Sequence, residues 1–179
     1  MKGIVFNLLE QIVSDEHGEE TWEQLLDATA LDGVYTSLGN YPDEDLFKLV
    51  GAASEALDLP PDAVVRWFGR NAMPLFAKRY PDLFTEHTDT RSFVLTLNDI
   101  IHPEVRKLYP GAIVPEFAFD TSDPEGVTMD YYSPRKMCAF AEGLLLGAGD
   151  HFGETVDIVQ PRCMNRGDSQ CRLEITFSR

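Results

Sequence analysis

A histidine in an apolar run and a polar trio about thirty residues later are the groups in this sequence best suited to chemistry. His102 lies within the segment Leu97–Val105, and Tyr131, Ser133 and Arg135 follow at alternate positions. A neutral imidazole can ligate iron, whereas hydroxyl and guanidinium groups can donate hydrogen bonds to carboxylates. The combination points to haem, which presents one iron and two propionate carboxylates.

His102 also has a simpler interpretation, because a single histidine on an apolar helix is often just a core side chain. Pro103 follows it directly and has no amide N–H to donate. We therefore expect the helix either to kink there or to restart with Pro103 at its first position. Either outcome changes the direction in which His102 points.

The polar trio has an alternative as well. In an extended strand Tyr131, Ser133 and Arg135 lie on one face, but Ser133 before Pro134 could equally cap a helix. A cation in the first turn of that helix would meet the positive end of the helix dipole, so Arg135 should have an anion nearby. A bound carboxylate and the acidic group Asp43–Asp45 both remain open.

Length and charge restrict the class of protein. The chain has 179 residues, of which 44% are hydrophobic, enough for one domain with a sizeable core. Its formal charge of -15, from 30 acidic and 15 basic residues, disfavours nucleic-acid and membrane-surface binding. Asn7 and Glu10 interrupt the first apolar stretch too soon for a signal peptide, and three cysteines fit a reducing compartment. We expect a cytoplasmic protein.

Hydrophobic spacing divides the chain into two halves. Helical periodicity covers residues 2–17, 21–31, 43–58, 61–80, 91–109 and, later, Arg135–Phe152. Strand-like runs cover Ile113–Phe119, Val127–Tyr132, Thr155–Pro161 and Cys171–Phe177. We predict one α+β domain over residues 1–179. Its helical half (about 1–110) packs on a second half (about 111–179) with a mostly antiparallel, roughly four-stranded sheet and one inserted helix.

These residues resemble the H-NOX (haem nitric oxide/oxygen-binding) family in its stand-alone bacterial form. The resemblance runs along essentially the whole chain, through Met1–Ile4, His102–Val105, Lys107–Tyr109, Pro115, Tyr131-x-Ser133-x-Arg135 and Glu142–Leu144. It implies a haem b between the two halves, with His102 as the proximal iron ligand. It also implies that Tyr131, Ser133 and Arg135 clamp the propionates and that Pro115 packs against the porphyrin and helps to distort it.

The same resemblance indicates which gas binds. Phe140 stands where oxygen-binding relatives carry a distal tyrosine, and the supporting polar positions become Leu9 and Ala72. Bound dioxygen benefits from a hydrogen-bond donor, whereas nitric oxide and carbon monoxide need none. We therefore predict a nitric oxide sensor with little stable oxygen binding. The expected distal pocket consists of Val5, Leu9, Phe76, Phe140 and Leu144.

The resemblance also implies how such a protein signals. Nitric oxide weakens the bond between iron and His102, which frees the helix around the histidine. Relatives regulate a separate sensor histidine kinase or cyclic-dinucleotide enzyme, so the partner is expected to be another protein. We expect no enzymatic activity, because no paired carboxylates, nucleophile motif or phosphate loop stands out.

Three cysteines form a second group. Cys163 and Cys171 flank a predicted hairpin, and Cys138 lies in the preceding helix. Some relatives bind zinc through three matching cysteines and a histidine, but Gln160 stands at the histidine position here. His151 could supply the fourth ligand. A redox role and a purely structural role for buried thiols remain open alternatives.

A haem-free alternative also exists. The segment from Glu142 to Phe177 is similar to vinyl-reductase-type small-molecule-binding domains of transcriptional activators. In that interpretation His102 is a core residue, and an apolar effector fills the cavity.

Overall fold

A computed structural model describes residues 1–179 and contains seven α-helices and one four-stranded sheet. The helices are α1 (Gly3–His17), α2 (Glu19–Thr29), α3 (Asp43–Leu57), α4 (Pro61–Arg79), α5 (Thr90–Val94), α6 (His102–Leu108) and α7 (Cys138–Phe152). The strands are β1 (Glu116–Asp120), β2 (Gly126–Tyr132), β3 (Thr155–Arg162) and β4 (Cys171–Ser178). No helix is both long enough and apolar enough to cross a lipid bilayer. The predicted α+β class is confirmed.

The sheet has the strand order β1-β2-β4-β3, and every neighbouring pair is antiparallel. Alternate residues of β2 and β4, such as Met129 and Leu173, are fully buried, because strand side chains alternate between the two faces. α7 joins this buried face through Leu145 and Ala148, which belong to the same apolar core. The sheet half thus has its own core.

The helical half has a second core. Phe6 and Leu8 of α1, Leu46 of α3 and Phe68 of α4 are almost completely buried there. Phe76 and Leu144 pack against both cores. They therefore lie at the boundary between the halves.

α4 and α7 join the two halves by close backbone packing. A Cβ atom added to Gly143 would lie 2.1 Å from the carbonyl oxygen of Arg66, and one added to Gly147 would lie 2.5 Å from that of Arg70. The same two arginines form ion pairs across the helices, Arg66 with Glu142 and Arg70 with Asp150, each at 2.6 Å. Small residues thus allow an approach that any side chain would prevent.

The segment predicted as one helix over 91–109 is divided in the structure. α5 is followed by a π-helical turn at Leu97–Ile101, and α6 begins at His102. The amides of Ile100 and Ile101 both donate to the carbonyl of Thr96, at 2.9 and 3.1 Å. Because Pro103 cannot donate to the carbonyl four residues earlier, the regular α-helical pattern cannot continue through this point.

Other boundaries differ less. β1 begins at Glu116 rather than Ile113, and α7 begins at Cys138 rather than Arg135. α4 runs undivided through Pro74, although a proline inside a helix removes a backbone hydrogen bond and usually kinks or breaks it. The helical pattern is therefore interrupted next to His102, at the π-helical turn, and not in α4.

Candidate functional site

A cavity of about 610 Å³ lies where the helical and sheet halves meet. Hydrophobic side chains supply 28 of its 36 lining residues. Its volume falls within the usual range of small-molecule and cofactor sites. The polar lining residues are few, and they include His102, Tyr131, Ser133 and Arg135.

His102 is the first residue of α6, and its side chain is buried at the cavity wall. Its ring stacks on that of Phe117 from β1, with centroids 5.3 Å apart and planes inclined by 23°. Burial, together with the charge of Arg106, lowers the pKa of His102 to about 4. The imidazole is therefore neutral at physiological pH, the form in which a ring nitrogen can ligate a metal.

The polar trio lies at one end of the cavity. Tyr131 belongs to β2, whereas Ser133 and Arg135 occupy the turn that follows it. The amide of Arg135 donates to Oγ of Ser133 at 3.3 Å, which closes this turn. Because α7 begins only at Cys138, Ser133 does not cap that helix. The structure thus brings all three side chains to the same cavity, and the helix-cap alternative is wrong.

Arg135 has an anionic partner within the chain. Its Nε donates to Oδ2 of Asp43 at 2.7 Å, and an Nη donates to the carbonyl of Ile113 at 2.9 Å. The N-terminal ammonium of Met1 also donates to Asp43, at 2.5 Å. Although burial opposes ionisation of this carboxyl, hydrogen bonds from the ammonium and from Arg135 hold its pKa below the usual value. This end of the cavity therefore already stabilises a carboxylate.

The predicted distal residues fall into two groups. Val5, Phe76, Phe140 and Leu144 line the cavity, and the ring of Phe140 packs 5.0 Å from that of Phe68. Leu9 was predicted to line it too, but it lies one turn further along α1 and is buried in the helical core. Leu9 shares a face of α1 with Val5, so the cavity ends before this turn of the helix and core side chains surround Leu9 instead.

Pro115 also lines the cavity, just before β1 begins. It stands between the exposed Ile113 and Phe117, whose ring lies against His102. The structure therefore brings this proline to the cavity, two residues before the phenylalanine that stacks on His102.

Tyr80 and Tyr109 also line the cavity, and neither of them has a role in the site predicted from the sequence. Their hydroxyls are hydrogen-bonded to each other, although the residues are 29 positions apart. Burial, and then the bond to Tyr80, raises the pKa of Tyr109 to about 12. Tyr109 follows His102 by two helical turns and could have been found from that spacing. No local pattern indicates Tyr80.

These features fit a haem. The cavity offers hydrocarbon walls, one neutral imidazole without a hydrogen-bond partner, and hydroxyl and guanidinium donors at one end. Iron, porphyrin and propionate groups require ligands and surroundings of these kinds.

The three cysteines come together at a separate place. Their Sγ atoms all lie within 4.8 Å of one another, and those of Cys138 and Cys163 are 3.6 Å apart. All three are buried free thiols, and burial raises the pKa of Cys138 to about 12. The Gln160 side chain lies beside Cys138, but its amide nitrogen is buried without a hydrogen-bond partner.

His151 cannot complete this group, contrary to the alternative raised from the sequence. It lies near the opposite end of α7 from Cys138, about 20 Å away along the helix axis. Its ring packs 5.1 Å from Phe84 and 4.8 Å from Phe152. A fourth ligand would have to come from elsewhere.

Comparisons with known proteins agree with the geometry. The family model described as Haem-NO-binding matches residues 2–160. An H-NOX protein from S. oneidensis, solved in the Fe(II)NO ligation state, is 36% identical, with 100% of both chains covered and a TM-score of 0.94.

Two further solved structures are similar over nearly their whole length. An unliganded Fe(II) H-NOX protein from K. algicida is 28% identical, covering 100% of this chain and 97% of that one, with a TM-score of 0.89. An H-NOX from Shewanella woodyi in the Fe(II)CO ligation state is 33% identical over 98% and 94% of the two chains, with a TM-score of 0.83.

Proposed function

Since this chain belongs to the Haem-NO-binding (H-NOX) family of haem-based gas-sensor domains, we propose that it binds haem b and senses nitric oxide. The observation that carries the proposal is His102, a buried neutral imidazole facing an apolar cavity of about 610 Å³. In this proposal His102 is the proximal iron ligand.

The other residues of the cavity hold and shape the group. Tyr131, Ser133 and Arg135 donate hydrogen bonds to the propionates, because their donors converge at one end of the cavity. When Arg135 binds a propionate, its guanidinium group either leaves Asp43 or contacts both carboxylates. Pro115 packs against the porphyrin on the His102 side.

Gas selectivity follows from the absence of a donor among the distal side chains. A bound haem, held through His102, would supply a ferrous iron that takes diatomic gases. Val5, Phe76, Phe140 and Leu144 offer only hydrocarbon there. Nitric oxide and carbon monoxide are therefore favoured over dioxygen, which gains most from a hydrogen bond.

Signalling is proposed to occur through release of His102. The segment that carries this residue begins with a π-helical turn, an arrangement often found at functional sites. Movement of the segment would change the surface that a separate protein contacts. If that protein binds the two conformations with free energies that differ by about 1.4 kcal/mol, its affinity changes tenfold. A histidine kinase or a cyclic-dinucleotide enzyme is the proposed partner, and we propose no catalytic reaction for this chain.

The test of the proposal is the colour of the purified protein and of its His102→Gly variant. The unaltered chain should be red with a Soret band, and the variant should lose the band unless imidazole is supplied to fill the vacated ligand position. His17→Gln, at an exposed histidine on α1, is the matched control and should stay red. A colourless protein indifferent to all these changes would support the haem-free small-molecule alternative.

We also propose that Cys138, Cys163 and Cys171 hold zinc through three thiolates. The proximity of three buried Sγ atoms favours this proposal, because buried thiols so close together are typical of structural zinc sites. Metal analysis should find one zinc per chain, which Cys171→Ser should abolish. If no zinc is found and mild oxidation joins two of the thiols, the group is a redox site instead; if neither occurs, the cysteines are structural.

A further inference from the structure

Two tyrosines join the helices on either side of the cavity. Tyr80 follows the last residue of α4, Tyr109 follows the last residue of α6, and their hydroxyls are hydrogen-bonded. The amide of Tyr80 donates to Phe76, and that of Tyr109 donates to Val105, both at 2.8 Å. The backbone of each tyrosine is therefore fixed to the final turn of its helix.

The pair lies at the end of both helical walls of the cavity. On α6, His102 and Val105 line the cavity, and Tyr109 follows His102 by about two turns and so lies close to the same face. On α4, Phe76 and Tyr80 are four residues apart and also line the cavity. A displacement of α6 would therefore act directly on the tyrosine pair.

Apart from the tyrosine pair, α6 is attached to the helical half by apolar packing, since Val105 lies against the core of that half. The backbone of α6 contacts mainly the π-helical turn before it. The one side-chain ion pair of α6, between Lys107 and Glu104, lies within the helix. The turn is tied to the sheet half, where Asn98 donates to the carbonyl of Phe117 at 2.9 Å. By distance and angle no other side-chain hydrogen bond joins α6 to the helices, although the guanidinium of Arg79 in α4 lies near the Tyr109 hydroxyl.

We propose that Tyr80 and Tyr109 are a positioning pair that clasps α6 to α4 and thereby holds His102 in place for the iron. The inference rests on the proposed role of His102 and adds a determinant of how firmly that residue is held. Tyr109 is buried, so its hydroxyl requires a partner. Removing either hydroxyl leaves the other unpaired, so each single Phe variant should lose the whole effect of the clasp.

Hydrogen exchange on the full chain, as purified, tests the clasp locally. In Tyr80→Phe, Tyr109→Phe and the double variant, the amides of α6 should exchange about fivefold faster, the worth of one hydrogen bond. The amides of α1 and α3 should be unaffected. Tyr132→Phe, at an exposed tyrosine that makes no side-chain hydrogen bond, is the matched control. Unchanged exchange in α6, or equal acceleration in every helix, would overturn the proposal.

Haem transfer to an acceptor protein tests its consequence for His102. All three variants should release haem faster than the unaltered chain, and by a similar factor. If the two tyrosines acted independently, the change in activation free energy of release would instead add up in the double variant. Unchanged release, or additive effects, would overturn the proposal. A colourless unaltered chain would contradict the proposed function instead. Hydrogen exchange would then still test whether the tyrosine pair joins α6 to α4.

Discussion

His102 illustrates how surroundings give a common side chain an unusual property. Burial in the wall of an apolar cavity disfavours the charged imidazolium, so the ring stays neutral with its nitrogens available. Phe117 fixes the orientation of the ring by stacking on it. The sequence could identify the residue because Pro103 follows it, but the contact with Phe117 depends on β1, which only the folded chain brings near.

The hydrocarbon lining of the distal pocket should limit the lifetime of a bound oxygen complex. Phe140→Tyr would add one hydroxyl donor to the hydrocarbon lining, and a hydrogen bond to a polarised ligand is worth about 1.5–3 kcal/mol. We expect the variant to form an oxygen complex that lasts at least about tenfold longer than any formed by the unaltered protein. Stopped-flow spectroscopy of the reduced proteins measures this lifetime.

Phe140→Leu is the matched control, because it changes the volume of the same side chain without adding a donor. It should bind oxygen no better than the unaltered protein. If Phe140→Leu and Phe140→Tyr behaved alike, space rather than hydrogen bonding would govern selectivity.

Residue patterns predicted the polar trio and one of its partners. The alternation of Tyr131, Ser133 and Arg135 predicted that they would lie together, and all three line the cavity although β2 ends at Tyr132. Asp43, one of the two anions considered, does lie beside Arg135, but the helix-dipole reason for expecting it was wrong because α7 begins only at Cys138. Leu9 was misplaced because resemblance fixes a position along α1 but not how far along the helix the cavity extends. Tyr80 was missed because its partner is 29 residues away.

At the scale of elements, the close contact between α4 and α7 is expected to contribute strongly to the stability of the fold. Gly143→Ala would place a methyl group 2.1 Å from the carbonyl oxygen of Arg66, so one helix must move. Overpacking of this kind against backbone costs about 3 kcal/mol. Chemical denaturation should show that loss in the free energy of unfolding.

Gly51→Ala is the matched control, since Gly51 lies inside α3 with no atom near its added Cβ. There the alanine should stabilise the protein by about 0.5–1 kcal/mol, because alanine is the better helix former. Equal effects of the two substitutions would show that helix propensity, and not contact between the helices, governs both positions.

Periodicity predicted the existence of the elements better than their ends. The pattern over 91–109 looks continuous because apolar residues keep helical spacing across the π-helical turn. Hydrogen bonding changes there for a backbone reason, the missing amide of Pro103, which hydrophobic spacing does not record. The C-terminal end of α7 and the hairpin of β3 and β4 lie close to their predicted places because local residues mark them: Gly153 ends the helix in a left-handed conformation, and Gly167 does the same in the turn between the strands.

At the scale of the whole molecule, two separate cores explain why a cavity exists. The helical core is built from that half alone, whereas the sheet core also takes in Met73, Phe93 and Val94, and the surfaces between the two cores line the cavity with hydrophobic side chains. The sequence indicated two halves through a change in periodicity after about residue 110. It could not indicate the volume of the cavity, which depends on how α4 and α7 set the distance between the halves.

The absorption spectrum of the reduced protein under nitrogen, air, carbon monoxide and nitric oxide tests the central claim most directly. We predict five-coordinate ferrous haem that is unchanged in air on mixing and becomes a five-coordinate nitric oxide complex, with His102 released. A stable oxygenated spectrum, or a nitric oxide complex that remains six-coordinate through His102, would contradict the account.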